Sequence, residues 1–336
     1  MAIDGIVKAG TETKWGISEE STFGAVIEDN VAFVQMEGPV PSINEGVIRN
    51  IDYKANGSRI RLDTDDYFTQ DGGIRVISFS DLIVRRTMLA DLLYGVFGNV
   101  TEGATTPYSK DFVWTSSTTQ PDYSASAGYF MTVAINRTLS SKDRKYTSCI
   151  LRTLTLTADL TGDGRLRASG EFISGFSSTA TANLSGTWAY SAANYFNCHE
   201  FSQKQINNVD IVLYGFDVTF TNNAVRIGGN SSGDAESYAL PQYDVTGNLL
   251  VKWDTATDDL LADSKQGNLR ELDLQVGSAG VAGHFAVFCD NVAFGDVDDE
   301  HGDERGHAVN VPFTALFKTG GGMCTATVAD GSDRSW

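Results

Sequence analysis

Strict alternation of apolar and polar positions dominates the middle of the chain. Between positions 153 and 160, Leu154, Leu156, Ala158 and Leu160 oppose Thr153, Thr155, Thr157 and Asp159. Between 165 and 173, Leu166, Ala168 and Phe172 share one face. Period-two patterning with one polar side predicts a hairpin that packs one face on a core and wets the other. The pattern recurs in 211–220 with 243–253, where Val245, Leu249, Val251 and Trp253 alternate with Asp244, Thr246, Asn248 and Lys252. A third copy runs through 285–294 and 308–317. Gly170 and Gly247 fall at matching points of the first two returning strands, a weak internal repeat or a pair of shared bend sites.

Elsewhere the period changes. Leu82, Leu89, Leu92, Leu93 and Val96 share a face at three- and four-residue intervals, and Asp81 and Arg85 pair at i,i+4. Ser78 with Asp81 makes a capping-box-like start and Gly95 or Gly98 the stop, so one helix is expected over 80–96, packing through Leu82, Leu89, Leu93 and Val96. Segment 14–24, glycine-punctuated around Trp15 and Phe23, reads as an extended arm that docks those rings on its own core or on a neighbour. Strand-like pieces at 47–53 and 58–62 flank Asn56-Gly57, a hairpin turn signal, and a polar return through Asp63, Asp65, Asp66 and Tyr67 follows. A long hairpin or loop excursion fits. The Ser/Ala/Thr-rich stretch 174–202 reads as a surface insertion.

Composition supports the strands. The chain has 336 residues, 34 Gly against 6 Pro and 10% aromatics, the mixture of a mostly β protein large enough to bury a sizeable core. Its net charge of −18 repels phosphate backbones and anionic lipid, which excludes a general nucleic-acid or membrane-surface binder. The acid concentrates between Asp254 and Glu304. No apolar run is long enough for a signal peptide or a membrane span, so a cytoplasmic protein is expected. Cys149, Cys198, Cys289 and Cys324 form no CxxC pair or His/Cys cluster and are expected as buried free thiols.

Candidate chemistry is sparse. Asp159, Asp163 and Gly164 mimic the start of an EF-hand loop, but Gly170 stands where calcium needs a bidentate carboxylate, and the flanks alternate like strands. A hairpin turn accounts better for the segment. Asp296, Asp298 and His301 could offer ligands to a divalent ion, yet a solvated acidic turn needs no metal. No catalytic motif, cofactor site or phosphate cradle is visible, and the chain is not expected to be an enzyme.

Several of these stretches resemble the major tail tube proteins of long-tailed bacteriophages. The resemblance rests on the Trp15-Gly16 arm with Ser21-Thr22-Phe23-Gly24, the acidic and glycine-rich excursion before a single helix, and two further stretches. One is Leu151-Arg152-Thr153-Leu154-Thr155-Leu156-Thr157-Ala158-Asp159-Leu160. The other is Phe216-Asp217-Val218-Thr219-Phe220-Thr221, followed by Leu240-Pro241-Gln242-Tyr243-Asp244-Val245-Thr246-Gly247-Asn248-Leu249. It covers residues 10–254 loosely, and the order of elements matters more than any single residue.

The resemblance implies a mainly β fold, a β-sandwich or partial barrel with one flanking α-helix, whose hairpins close an inner barrel in six-membered rings. Stacked rings would form a DNA conduit in the virion tail, assembled in the host cytoplasm without membrane. Partners would be the chain itself, other tail proteins at the tube ends, and double-stranded DNA as passing cargo. Residues 1–254 would be the tail-tube-like domain, with 1–34 as N-terminal arm and 41–73 as inter-ring loop. Residues 255–336 would be a C-terminal β extension or small outer domain. Inter-ring contacts would come from Trp15, Phe23, Asp63, Asp65, Asp66 and Tyr67. The lumen face would carry Thr153, Thr155, Thr157, Asp244, Thr246 and Asn248, with Arg165 and Arg167 as awkward cations beside it. A carbohydrate-binding or adhesive β-sandwich of the virion surface is the rival reading, since five Trp and twelve Tyr leave room for a stacking platform.

Overall fold

A computed structural model describes residues 13–20, 22–25, 33–51, 67–71, 73–114, 130–136, 143–181, 188–189, 195–254, 262–263, 265–296, 298–302, 306–319 and 321–331. Among them the chain is mainly β, with one α-helix. The alternating segments form a front sheet, antiparallel throughout. Its order is Ser42–Asn44, Arg75–Ile83, Arg167–Ser174, the second half of Asp143–Asp159, Leu213–Thr221, Asp244–Lys252 and Gly306–Ala315.

A back sheet runs Phe201–Ile206, Arg270–Val276, His284–Phe294, Cys324–Ala329, Ser109–Trp114 and Thr101–Glu102. Strand 284–294 belongs to both sheets, because its end, Val292 to Phe294, pairs with Phe313 to Ala315 of the front sheet. The third alternating pair is therefore not a simple hairpin. Strand 306–315 instead pairs with 244–252 over seven positions, and Cys324–Ala329 with Ser109–Trp114 over six. Strands from beyond residue 254 take part in both sheets.

The first two hairpins form in the expected places, with Thr155 opposite Ser169 and Thr219 opposite Thr246. The helix differs. It spans Arg86–Phe97, and everything from Met88 to Phe97 is buried, Asp91 included, so it is a core helix and not a flanking one. Ser78, Asp81 and Leu82 lie on strand Arg75–Ile83. Leu82 still reaches the same core as Leu89, Leu93 and Val96. The expected Asp81–Arg85 pair is taken apart, Asp81 binding Arg167 at 2.6 Å and Arg85 binding Glu37 at 2.6 Å. Gly98 does end the helix, its left-handed φ of 71° letting its N–H reach the Tyr94 carbonyl at 2.9 Å.

The N-terminal segment is also more regular than expected. Lys14–Glu19 is a strand between Phe33–Gln35 and Met131–Asn136, in a side sheet that continues into the first half of Asp143–Asp159. Trp15 and Ile17 are buried, and Phe23 packs 4.8 Å from Phe130 and 5.2 Å from Phe176. Rings of this size gain most where they are fully desolvated, and here that place is the chain's own core. The stretch after Ser174 is likewise structural. It supplies Thr179–Thr181 and Trp188–Ala189 to the two sides of that sheet and buries Phe196 and Cys198.

Long strand 143–159 changes sheets at a bulge around Ser148, whose φ is 48°. Glu20 holds the bulge. It is 2% exposed and accepts hydrogen bonds from Thr132 Oγ1 at 2.5 Å and from the Ser148 backbone N–H and hydroxyl, both at 2.7 Å. Burial pushes its carboxyl above the ordinary range, outweighing those hydrogen bonds, which lower it. The folded state thus binds the proton more tightly than the unfolded state, and Glu20 costs stability as pH rises through its folded titration range. Glu20→Gln is expected to melt above wild type at pH 8. That advantage should shrink as pH falls and vanish near the unfolded carboxylate value of about 4.3. Melting temperatures of both proteins across this range check the sign, and an advantage that grows on acidification would contradict it.

Val47–Ile51 and Tyr67–Asp71 form a two-stranded sheet of their own next to the edge of the front sheet. The returning strand is Tyr67–Asp71, with Tyr67 opposite Ile51. Asn56-Gly57, the 58–62 piece, Asp63, Asp65 and Asp66 lie outside the described residues.

Candidate functional site

Alternation places every polar residue of the central strands on the outer face of the front sheet. Thr153, Thr155 and Thr157 stand opposite Thr221, Thr219 and Asp217, which in turn face Asp244, Thr246 and Asn248. The six predicted face residues are thus brought together on two strands separated by a third. On the far side the face continues through Arg167, Ser169 and Glu171, and on the near side through Asn310, Pro312 and Thr314. Leu154, Leu156, Val218, Phe220, Val245 and Leu249 point the other way into the core, each fully buried.

Short side chains bonded to one another hold this face. Thr155 and Thr219 share a hydroxyl hydrogen bond of 2.8 Å, and Asn248 Nδ2 donates to Asp217 at 3.0 Å. Asp244 accepts from Asn223 at 2.8 Å and from Gln242 at 2.7 Å. Partial burial raises the Asp217 carboxyl despite its two bonds from Asn248. An open depression of about 310 Å³ lies at one end, between Thr157, Asp163, Arg167, Asp217, Asn248 and Asn310.

Three arginines of this surface are engaged within the chain. Arg152 pairs with Glu171, and Arg167 bridges Asp81 at 2.6 Å and Asp163 at 2.9 Å. Arg165 lies over the Tyr195 ring, 5.0 Å from its centroid. The Arg165 backbone N–H and the Arg167 guanidinium hold the Asp163 carboxyl below its usual range. The calcium-like loop has the same economy. Asp159 accepts from the Thr161 N–H at 2.9 Å and its hydroxyl at 2.7 Å, and Asp163 from the Arg165 N–H at 3.2 Å, so the acids build a turn.

Asp217, Thr219 and Thr221 sit at the centre of the face. Their signal was the same alternation, present in Leu213–Thr221 though less threonine-rich than in its neighbours. Trp15 is buried in the core, Phe23 is half-buried and packs against it, and Tyr67 is on the separate two-stranded sheet. Asp296 is exposed, while Asp298 and His301 belong to strand Asp298–Gly302, paired with Gly306 to Asn310 where a turn was expected. Among the described residues no three His, Cys, Asp or Glu side chains converge as metal ligands. All four cysteines are buried free thiols. No helix among these residues is long and apolar enough to cross a membrane. No protein-family model and no curated protein matches the chain.

Proposed function

We propose that this chain is a structural subunit of a phage tail tube, forming six-membered rings that stack into a conduit for double-stranded DNA. The observation that carries the reading is the broad outer face of hydroxyls and amides, in which Arg152 and Arg167 are already neutralised by carboxylates of the same chain. Adhesion to DNA comes mainly from phosphate contacts that release counterions. A wall whose Arg152 and Arg167 are paired, and which presents Asp217 and Asp244, gives little such adhesion and lets the duplex slide. In this reading hairpins of neighbouring subunits join to close the lumen, which also removes exposed sheet edges.

The small sheet of Val47–Ile51 and Tyr67–Asp71 supports the stacking part. Two strands alone are marginally stable in water, so such a hairpin gains from docking on another surface. The other partners are tail proteins at the tube ends, and the tube is assembled in the host cytoplasm and carried in the virion. The rival carbohydrate-binding reading needs exposed rings. Trp15 and Trp114 are buried, Trp188 stacks on Phe33 and Trp253 packs half-buried against the core, which leaves no exposed Trp among the described residues.

Negative-stain microscopy of the purified protein at increasing concentration is expected to show rings and then tubes. Removing residues 52–66 should leave folded subunits that stack poorly. A strictly monomeric protein at high concentration, by sedimentation, would sink the proposal. Tubes that grow unchanged without 52–66 would remove the hairpin from it.

A further inference from the structure

Lys110 is an unusual lysine. Its side chain has no exposed surface, and its ammonium lies 2.7 Å from Asp330, whose side chain is equally enclosed, and 3.1 Å from Glu102, which is 18% exposed. Backbone register sets all three. Glu102 stands directly opposite Lys110 on the neighbouring strand. Asp330 follows the last residue of Cys324–Ala329, the strand on the other side of Lys110. The Gly331 N–H donates to Pro107 O at 3.1 Å, fixing the chain just beyond Asp330.

We propose that Lys110 and Asp330 become joined by an intramolecular amide bond between Nζ and the carboxyl carbon, with Glu102 carrying the proton. A hydrogen bond of 2.7 Å already holds Nζ against the carboxyl group it would attack, so the reactants are pre-positioned. Transfer of one proton from the ammonium to the carboxylate across that hydrogen bond gives the amine and carboxylic acid that react. The amine nitrogen attacks the carboxyl carbon and a C–N bond forms. Glu102 takes a proton from that nitrogen and delivers it to a carboxyl oxygen; the C–O bond breaks and water leaves. The balance is one ammonium and one carboxylate giving one amide and one water, with no oxidant or co-reactant. Glu102, the only partly exposed member of the three, marks the side on which the water departs.

The bond would close a loop of 220 positions and lock the last strand of the back sheet to Ser109–Trp114. Tension on the chain ends could then not shear the two strands apart. The inference does not depend on the tail-tube reading.

Intact mass spectrometry of the purified full chain tests it. The wild type is expected to be lighter than its sequence by one water, and a tryptic digest should yield a branched peptide uncut after Lys110. Glu102→Gln, at a partly exposed position, should keep the fold by circular dichroism and restore the full mass. Asp330→Asn should lose ammonia in place of water. Full sequence mass in the folded wild type overturns the proposal, leaving a buried ion pair. Loss of water that persists in Lys110→Arg overturns it as well, because the dehydration then lies elsewhere.

Discussion

Trp114→Ala is expected to destabilise the protein by about 3–5 kcal/mol, the range for removing a buried tryptophan. Trp114 is 2% exposed on strand Ser109–Trp114 of the back sheet. It stacks on Phe97, the last residue of the helix, at 4.4 Å, and on Tyr243, just before front-sheet strand Asp244–Lys252, at 4.6 Å. Its indole N–H also donates to the Phe97 carbonyl at 3.3 Å, satisfying one of the acceptors that a helix end leaves open. One side chain thus ties both sheets to the helix between them. Truncation leaves a cavity where three elements meet and an unpaired carbonyl inside it. Trp114→Phe keeps a ring on Phe97 and Tyr243 but not the hydrogen bond, so it should recover more than half of the loss. Urea unfolding of the three proteins measures this. A cost below about 1 kcal/mol for the alanine variant would mean that the site collapses freely, against the packing described.

What could be read in advance follows from how local each cause is. The hairpins built on Asp143–Asp159 and Leu213–Thr221 were legible because alternation and a polar face are properties of one strand at a time. The helix start was not. Leu82 fits both a helical stripe and a strand, and the cap-like Ser78 and Asp81 are polar because they sit on the outer side of Arg75–Ile83. The N-terminal strand was hidden by its glycine. A Cβ on Gly16 would come within 2.5 Å of Val34 O, so the residue that seemed to break the strand is what lets the next one approach. The split partners of His284–Phe294 had no turn signal to announce them. The same holds for the approach of Asp330 to Lys110 and Glu102, which depends on register between strands far apart in sequence. The threonine face was legible at its two flanking strands and incomplete at Asp217, Thr219 and Thr221, because only pairing shows that they lie between.

Gly247→Val is expected to be the most damaging single change on the front sheet, costing at least about 3 kcal/mol and cutting the soluble yield sharply. A Cβ at 247 would lie 2.2 Å from Asp217 O and 2.7 Å from the Phe313 ring. Gly170 occupies the mirrored place, its Cβ position 2.5 Å from Thr153 O and 2.7 Å from the Phe79 ring. Each glycine therefore has a phenylalanine of the next strand outward across its bare backbone, on either side of the central pair 150–159 and 213–221. The ring fills the space the missing side chain leaves, a cross-strand aromatic rescue of a glycine. A ring can rotate away, but a backbone carbonyl in a paired strand cannot, so most of the cost should survive removal of the ring. Phe313→Leu in the Gly247→Val background should recover only a minor part, as a double-mutant cycle would measure. Full recovery would place the strain in the ring contact alone. The carbonyl that a side chain at 247 would displace belongs to Asp217, at the centre of the hydroxyl and amide face. Any variant that still folds should therefore disturb the Asp217–Asn248 bond, and with it the surface on which the proposed conduit depends.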